Sequence, residues 1–233
     1  MELLPCAPGQ VRIFLTRHGK TIFNENHMAQ GWCDAPLTLE GQEMARQLGR
    51  GLKSRGVRFT SAWAGELGRQ RRTARLILDE MGQADIPVES EDGLMEVCFG
   101  SLEGEDEHAR DVEFCKMLGI DNPREVYSVG LERLLELYCQ LDKTGLAENY
   151  QQVCARIPVA LERIAKTAFA RGGGDVLAVT SGMISLVYFF EVLKLDRSAL
   201  QSLDNLSVSI LYYDGKTLRP ELPLGRTDLK EVL

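Results

Sequence analysis

Residues 15–21 read Leu15-Thr16-Arg17-His18-Gly19-Lys20-Thr21, and the rest of the chain is organised around them. The apolar run at residues 11–15 is short and rich in β-branched and aromatic side chains, which predicts a buried strand. At the end of that strand an arginine offers a bidentate fork to a phosphate, and a glycine lets the backbone approach closely. A histidine can attack phosphorus as a nucleophile. The alternative is that Arg17 and His18 only cap a strand, since Arg-His-Gly occurs often by chance.

The composition is that of an acidic globular protein. The 233 residues carry 27 Lys and Arg against 34 Asp and Glu, a formal net charge of −7, and 44% of them are hydrophobic. A chain of this length can bury a large core. The acidic balance argues against nucleic acid or an anionic membrane as the main partner. A small phosphate ester stays open as a substrate, because the local placement of arginines decides that binding.

The sequence predicts neither export nor membrane insertion. No run approaches the roughly 20 apolar residues that span a bilayer, and the first residues lack the basic and apolar regions of a signal peptide. The six cysteines are scattered without a CxxC pair, which favours free thiols in a reducing compartment over three disulfides. We therefore expect a cytoplasmic protein with no metal site and no nucleic-acid or membrane partner. A homodimer is one assembly that the sequence leaves open.

Strand and helix patterns alternate along the chain. Strands are predicted at residues 11–15, 59–64, 86–89, 175–180 and 207–213, and helices at 39–55, 70–82 and 184–195. Residues 105–171 have a helical pattern that is broken at Asn122-Pro123 and Gly145. This alternation predicts an α/β fold, a three-layer α/β/α sandwich with a mainly parallel mixed sheet. Ligands of such sheets bind beyond the carboxyl ends of the strands, so Arg17-His18, Arg69 and Ser181-Gly182 are expected to converge on one crevice.

Four blocks, in this order, resemble the histidine phosphatase superfamily, which includes phosphoglycerate mutases and many acid-type phosphatases. The blocks are LTRHGKTIFNENHMAQGWCDAPLTLEGQEMA, SAWAGELGRQRRTARLIL, LMEVCFGSLEG and VLAVTSGMI. Four ordered blocks spread over most of the chain are far more specific than one tripeptide. The resemblance implies a single phosphoglycerate mutase-like domain over residues 1–233, with a helical cap insertion at about 105–150. The first block looks more like the phosphatase branch.

The resemblance also implies roles for individual residues. His18 would be the nucleophile that becomes phosphorylated, and Glu96 would protonate the leaving oxygen and then help to deprotonate water. Arg17 and Arg69 would clamp the phosphoryl oxygens, and Asn24 would add a hydrogen bond. These roles make chemical sense, because phosphoryl transfer is catalysed mainly by positioning and electrostatics. Arginines would supply the positive charge, so no cofactor is expected, and the partner is a small phosphorylated substrate.

Neighbouring residues compete for two of these roles. Arg69 is one of four arginines within residues 69–75, and the Leu-Gly-Arg spacing favours it over Arg71 and Arg72. Glu96 competes with Glu91 and Glu103 as the acid, and its Glu-x-x-x-Gly spacing favours it. A structural role is expected for Glu103.

The fourth block departs from the family pattern. Family members usually carry a second histidine where this chain has Ser181, and the spare His27 and His108 lie outside that block, where we expect them to be exposed. A serine keeps a hydroxyl donor but gives up the cation. Losing one such donor costs roughly 2.7–4 kcal/mol of transition-state stabilisation. Gln30, Gly31 and Ser181 complete the predicted substrate-binding residues.

Three functions stay open at this point. The first is a phosphomonoesterase that acts on a small phosphorylated metabolite through a phosphohistidine intermediate, at a rate reduced by Ser181. The second is a phosphoglycerate mutase. The third is a catalytically weak or inactive member that binds phosphate esters or a protein partner, a hypothesis motivated by Ser181 and by Met28, where family members often have an arginine.

Overall fold

One mixed six-stranded sheet forms the centre of the molecule in the computed structural model, which describes residues 6–7 and 9–232. The strands are β1 (Val11–Arg17), β2 (Phe59–Ala64), β3 (Val88–Ser90), β4 (Gly174–Thr180), β5 (Val208–Tyr213) and β6 (Leu218–Pro220). They lie in the order β3-β2-β4-β1-β5-β6. The first four are mutually parallel, whereas β5 runs antiparallel to β1 and β6 antiparallel to β5. The predicted α/β class with a mainly parallel mixed sheet is confirmed.

The helices surround this sheet and form most of the segment between β3 and β4. They are α1 (Ile22–Glu25), α2 (Leu39–Ser54), α3 (Gly68–Met81), α4 (Glu107–Leu118), α5 (Leu131–Leu141), α6 (Tyr150–Ala170) and α7 (Gly182–Leu186). A π-helical segment, Val187–Val192, continues α7. Short 3-10 turns are Asp92–Leu94, Gly100–Leu102, Pro123–Ser128, Arg197–Ala199 and Asp228–Lys230.

Two helices begin earlier than their local sequence predicts, because residues distant in the chain cap them. The predicted helix 70–82 begins at Gly68, where the Asp34 carboxylate accepts the Arg69 backbone N–H at 3.3 Å. The predicted helix 184–195 begins at Gly182 and becomes π-helical at Val187. There the Glu96 carboxylate accepts the first backbone N–H groups. Helix starts carry unpaired N–H groups that need such acceptors.

Apolar side chains cover both faces of the sheet. Phe14 of β1 packs in a core with Leu48 of α2 and Ile77 of α3. Its neighbour Ile13 belongs to a second core with Leu161 of α6. Successive side chains of a strand point to opposite faces, so the sheet is buried between two helical layers, as the three-layer prediction requires.

The carboxyl ends of β1 and β4 meet at one edge of the sheet. The two strands pair in parallel, with Arg17 opposite Thr180. The loop after β1 passes so close to the start of α2 that a Cβ at Gly41 would lie 2.1 Å from the Lys20 carbonyl oxygen. A glycine is therefore needed at position 41, because any side chain there would push this loop away from the helix.

Helices α4 and α5, with the 3-10 turn between them, occupy most of the region in which a cap is expected, and α6 begins at its end. An antiparallel bridge between Met28 and Asp106 ties the start of this region to the loop after β1. Within residues 6–7 and 9–232, no helix has the length and apolar character needed to cross a membrane. The start of the chain, where we expect no signal peptide, lies largely outside the described residues.

Candidate active site

A cavity of about 280 Å³ lies at the carboxyl ends of β1 and β4. Five of the eight predicted site residues line it, namely Arg17, His18, Asn24, Gln30 and Glu96. The other three, Gly31, Arg69 and Ser181, are not among its lining residues. Helices α4 and α5 and the start of α7 supply much of the remaining wall. The structure thus brings the predicted nucleophile and the predicted acid to the same cavity.

His18 is buried and neutral. Its Nδ1 lies 2.8 Å from the Gly19 carbonyl oxygen. A carbonyl only accepts hydrogen bonds, so Nδ1 carries the proton and Nε2 keeps its lone pair. Burial, reinforced by the charges of Arg69 and Arg17, lowers the pKa of His18 well below 6.5. The side chain is therefore an unprotonated base with one free nitrogen at the cavity.

Hydrogen bonds on both sides hold the His18 backbone. Its N–H donates to the Thr180 carbonyl at 3.0 Å, and its own carbonyl accepts from Asn205 Nδ2 at 2.9 Å. Asn24 Oδ1 accepts the Thr21 N–H at 3.2 Å, which caps α1, and lies 3.4 Å from Asn205 Nδ2. Asn205 thus supports the His18 backbone, whereas the sequence left a simple turn role open for an asparagine just before a strand.

Three buried donors close to His18 have no hydrogen-bond partner among the described residues. They are Arg17 Nε, Gln30 Nε2 and Arg69 Nε. Leaving a buried donor unpaired costs about 1–3 kcal/mol, so such groups are rare in folded proteins. Two of them, Arg17 Nε and Gln30 Nε2, belong to residues that line the cavity and can pair with the oxygens of an anion bound there.

The two guanidinium groups are held rigidly by carbonyl oxygens. Arg17 Nη1 donates to the Leu203 carbonyl at 2.7 Å. Arg69 donates through Nη2 to the Gly31 carbonyl at 2.6 Å and through Nη1 to the Cys33 carbonyl at 2.7 Å. Gly31 therefore supports Arg69 from behind the cavity wall, and a side chain at this position would clash with its neighbours. This support fixes the direction in which each Nε–H points.

Glu96 lies opposite, at the start of α7. Its Oε1 accepts the backbone N–H groups of Val97 at 2.9 Å and Ile184 at 2.8 Å, and its Oε2 accepts that of Met183 at 3.0 Å. Because Oε2 accepts only one of these bonds, it keeps a lone pair that can carry a proton. The carboxyl group is thus fixed in direction and still able to exchange a proton.

The neighbouring carboxylate, Glu103, has a different environment. It accepts backbone N–H groups from Gly31, Trp32, Cys33 and Phe99 at 2.7–3.0 Å, and it does not line the cavity. These bonds join the loop after β1 to the segment that follows Glu96.

Ser181 is fully buried at the end of β4. Its Oγ accepts a hydrogen bond from Gln70 Nε2 at 2.9 Å, and the same amide nitrogen donates to the Leu94 carbonyl at 2.9 Å. The oxygen of that amide, Gln70 Oε1, is buried without a partner among the described residues. The hydroxyl of Ser181 is thereby held beneath the cavity, beside an unused acceptor.

Other chemistry has little support at this site. In the described part of the chain, no group of three or more His, Cys, Asp or Glu residues could hold a metal ion. His27 and His108 are exposed. Burial, with a contribution from Glu103, raises the pKa of Cys33 to about 12, so its thiol stays protonated.

The cap side of the cavity is lined by residues that the sequence did not mark as functional. They include Arg110, Leu131, Leu134, Leu186, Phe190, Arg197 and Leu203. Their spacing on helical segments is that of ordinary core positions, so periodicity gives no signal that they face a cavity. Met28 and Met183, in contrast, line the cavity close to the predicted motifs.

The low pKa of His18 predicts a pH dependence of stability. Below pH 6.5 the unfolded chain binds a proton at His18 that the folded chain does not, so this group's contribution is complete above pH 6.5 and is lost as the pH falls. The free energy of unfolding should fall by up to about 1.4 kcal/mol per pH unit from this group. The free energy of unfolding is measured with urea at several pH values and plotted against pH. The slope of this plot should be smaller for His18→Gln than for the wild type, and it should be unchanged for His27→Gln, the variant of an exposed histidine. Equal slopes for the wild type and His18→Gln would show that His18 titrates normally.

Comparison with known proteins gives one consistent family. A family model described as the histidine phosphatase superfamily (branch 1) matches residues 13–222. A 2,3-bisphosphoglycerate-dependent phosphoglycerate mutase of Methylobacterium sp. (strain 4-46) is 41% identical over 92 residues, which cover 40% of this chain and 44% of the relative. The match thus spans less than half the length of that relative.

Solved structures match over nearly the whole chain. A phosphoglycerate mutase from Bacillus anthracis str. Sterne superposes with a TM-score of 0.85 and 32% identity, covering 95% of both chains. A putative alpha-ribazole-5'-P phosphatase from Escherichia coli str. K-12 has a TM-score of 0.67 and 22% identity, covering 93% of this chain and 96% of that one. A mycobacterial glucosyl-3-phosphoglycerate phosphatase has a TM-score of 0.68 and 20% identity, covering 92% and 98%. The last two show the shared fold.

Proposed function

Because the chain belongs to the histidine phosphatase superfamily, branch 1, we propose that it is a phosphomonoesterase that acts on a small phosphorylated metabolite through a phosphohistidine intermediate. One observation carries this proposal: a neutral, buried His18 with a free Nε2 lines the same cavity as Arg17 and Gln30, which carry unpartnered buried donors. A nucleophile surrounded by anion-binding donors is the arrangement that phosphoryl transfer needs.

The first half of the reaction uses His18 and Glu96. His18 Nε2 attacks phosphorus, the bond between phosphorus and the leaving oxygen breaks, and that oxygen takes a proton from Glu96. In the second half, water attacks phosphorus, the bond from phosphorus to Nε2 breaks, and Glu96 takes the proton of the water. Inorganic phosphate and the free alcohol are the products, and both side chains return to their starting states.

The arginines stabilise the charge on the transferring group. Arg17 Nε and Gln30 Nε2, on residues that line the cavity, donate to the phosphoryl oxygens, which carry most of the transition-state charge, and Arg69 adds its positive charge from behind the cavity wall. Their carbonyl anchors keep the guanidinium groups in place before substrate binds, so little reorganisation is needed during the reaction. Burial lowers the pKa of His18, and the same two positive charges lower it further and help to keep the imidazole unprotonated.

A phosphoglycerate mutase is the second candidate. The whole-chain similarity to the Bacillus anthracis mutase, at 32% identity, favours it. In a mutase the phosphoryl group on His18 would return to a second hydroxyl of the sugar acid instead of passing to water. Adding 2,3-bisphosphoglycerate should then stimulate the exchange between 2- and 3-phosphoglycerate. Phosphate release without such exchange would favour the phosphatase.

The third candidate, a weak or inactive binding protein, is tested at position 181. Ser181→His should raise kcat/KM for phosphate release by up to about 10²–10³-fold, because an imidazole adds a donor to the phosphoryl oxygens. Gln70 Oε1, which has no partner among the described residues, is available to accept its other N–H. A panel of phosphate esters should be assayed with the wild type and with Ser181→His, beside a thermal unfolding measurement that confirms folding.

The outcomes of this panel separate the candidates. Turnover by the wild type that rises in Ser181→His supports a phosphatase slowed by the serine. No turnover in the wild type, with activity appearing in Ser181→His, would refute the phosphatase and support the weak or inactive member. No activity in either folded protein would refute the phosphatase as well.

A further inference from the structure

The lining of the cavity contains two chemically different sets of residues. One set, on the loops beyond the strands, includes His18, Glu96 and two of the residues with unpartnered donors, Arg17 and Gln30. The other set is apolar and comes from α5, from α7 with its π-helical continuation, and from the segment before β5, namely Leu131, Leu134, Met183, Leu186, Phe190 and Leu203. We expect the leaving group of a phosphate ester bound at His18 to contact this apolar set.

Several of these apolar side chains are only half-buried. Met183, Leu186, Phe190 and Leu203 line the cavity, and each is only partly buried. Covering apolar surface is favourable in proportion to its area. Four such side chains facing one cavity therefore favour a ligand whose second half is apolar.

The charges on this side do not favour an anionic leaving group. Arg110 donates through Nη2 to Asp111 Oδ1 at 2.8 Å and to the Tyr127 hydroxyl at 2.7 Å, so its charge is already paired. Glu107 adds a negative charge to the cavity wall. Arg197 is exposed and stacks 5.7 Å over the Phe190 ring, where water and salt screen its charge. Asp111 does not line the cavity, but it pairs with Arg110, and with it these two positive and two negative groups sum to zero.

We propose that the leaving group of the natural substrate is an uncharged, mainly apolar alcohol or phenol that fills the cap side of the cavity. This inference rests on the proposed phosphatase function and adds the substrate class to it. A cavity of about 280 Å³ is near the lower end of the size range of small-molecule sites. It holds a phosphoryl group together with a short alkyl chain or an aromatic ring. A leaving group with a carboxylate or a second phosphate would bury a charge there, whereas Arg110 is already paired and Arg197 is exposed to water.

The test measures binding, so that it does not depend on turnover. Dissociation constants are determined by calorimetry for methyl-, ethyl-, butyl- and hexylphosphonate and for 2-carboxyethylphosphonate. Each added methylene should tighten binding about four-fold until the cavity is filled. Butylphosphonate should bind at least about ten-fold more tightly than 2-carboxyethylphosphonate, because the latter adds an unpaired charge. Dissociation constants that do not change with chain length, or tighter binding of the carboxylated compound, would overturn the proposal.

Variants locate the effect in the cavity. Leu186→Ser and Phe190→Ala should each reduce the ratio of hexylphosphonate to ethylphosphonate affinity by about four-fold or more. The matched control is Leu146→Ser, since Leu146 is 68% exposed and lies outside the cavity, and it should keep the wild-type ratio. A ratio that is the same in all four proteins would also contradict the proposal.

The proposed function and the substrate class can fail separately. If alkylphosphonates bind more tightly as their chains lengthen but no phosphomonoester is hydrolysed, the phosphatase function is refuted and the apolar subsite stands. If alkyl phosphates and 3-phosphoglycerate are hydrolysed with the same kcat/KM, the phosphatase stands and the substrate class is refuted.

Discussion

His18→Ala is expected to lower kcat for phosphate release by a factor on the order of 10⁶, the scale seen when a covalent enzyme loses its nucleophile. The reason is that no other described residue at this site offers an equivalent free nitrogen. His27 and His108 are exposed and do not line the cavity, and the Cys33 thiol stays protonated. Steady-state assays with an aryl phosphate, which has a good leaving group, give the range needed to measure so large a loss.

His27→Ala is the matched control for this variant. It removes a histidine from the same loop, but one whose side chain is solvent-exposed, so its kcat should stay within two-fold of the wild type, within the usual effect of a surface change. Circular dichroism should show that both variants fold. A His18→Ala protein that keeps more than about one-hundredth of wild-type kcat would remove His18 from the role of nucleophile.

Arg17→Met should cause the second largest loss, a fall in kcat of about 10³–10⁵-fold, the range attributed to an arginine that stabilises the charge in phosphoryl transfer. Methionine keeps much of the volume but loses the unpartnered Nε–H and the positive charge beside His18. The charge of Arg17 lowers the pKa of His18, so its removal should also move the acidic limb of the pH–rate profile to higher pH. A structural role alone would not shift that limb.

Arg72→Met provides the comparison for this second variant. Arg72 is exposed on α3, one turn from Arg69, and it does not line the cavity. The Arg72→Met variant should leave both kcat and the acidic limb of the pH–rate profile unchanged. If Arg17→Met lowers kcat by less than ten-fold and does not shift the acidic limb of the pH–rate profile, then Arg17 does not bind the transferring phosphoryl group.

Much of this architecture could be predicted from local sequence patterns. The strand Phe59–Ala64 was predicted at both its bounds, because a short β-rich run ends at a glycine. Thr38 caps α2 by accepting the Gly41 N–H at 3.0 Å, and a threonine directly before a helical pattern is a typical N-cap. Such features are decided by neighbours in the chain, and a single sequence displays them directly.

The features that sequence reasoning missed depend on contacts between distant residues. The Asp34 carboxylate that caps α3 is 35 residues away from Arg69, and Glu96 meets α7 across 87 residues. The apolar part of the cavity lining cannot be predicted from the sequence either. Leu134 and Leu186 have the same helical spacing whether they face the core or the cavity. Only the packing of the cap against the sheet decides which apolar side chains face the substrate.

Rapid-quench trapping of the phosphoenzyme tests the central claim most directly. The wild type is mixed with a labelled aryl phosphate and stopped in alkali within one turnover, and its peptides are mapped by mass spectrometry. We predict one acid-labile phosphoryl group, on His18, which is absent from the Arg17→Met and His18→Ala proteins at the same time point. Full release of phosphate with no label on the protein would contradict a phosphohistidine mechanism.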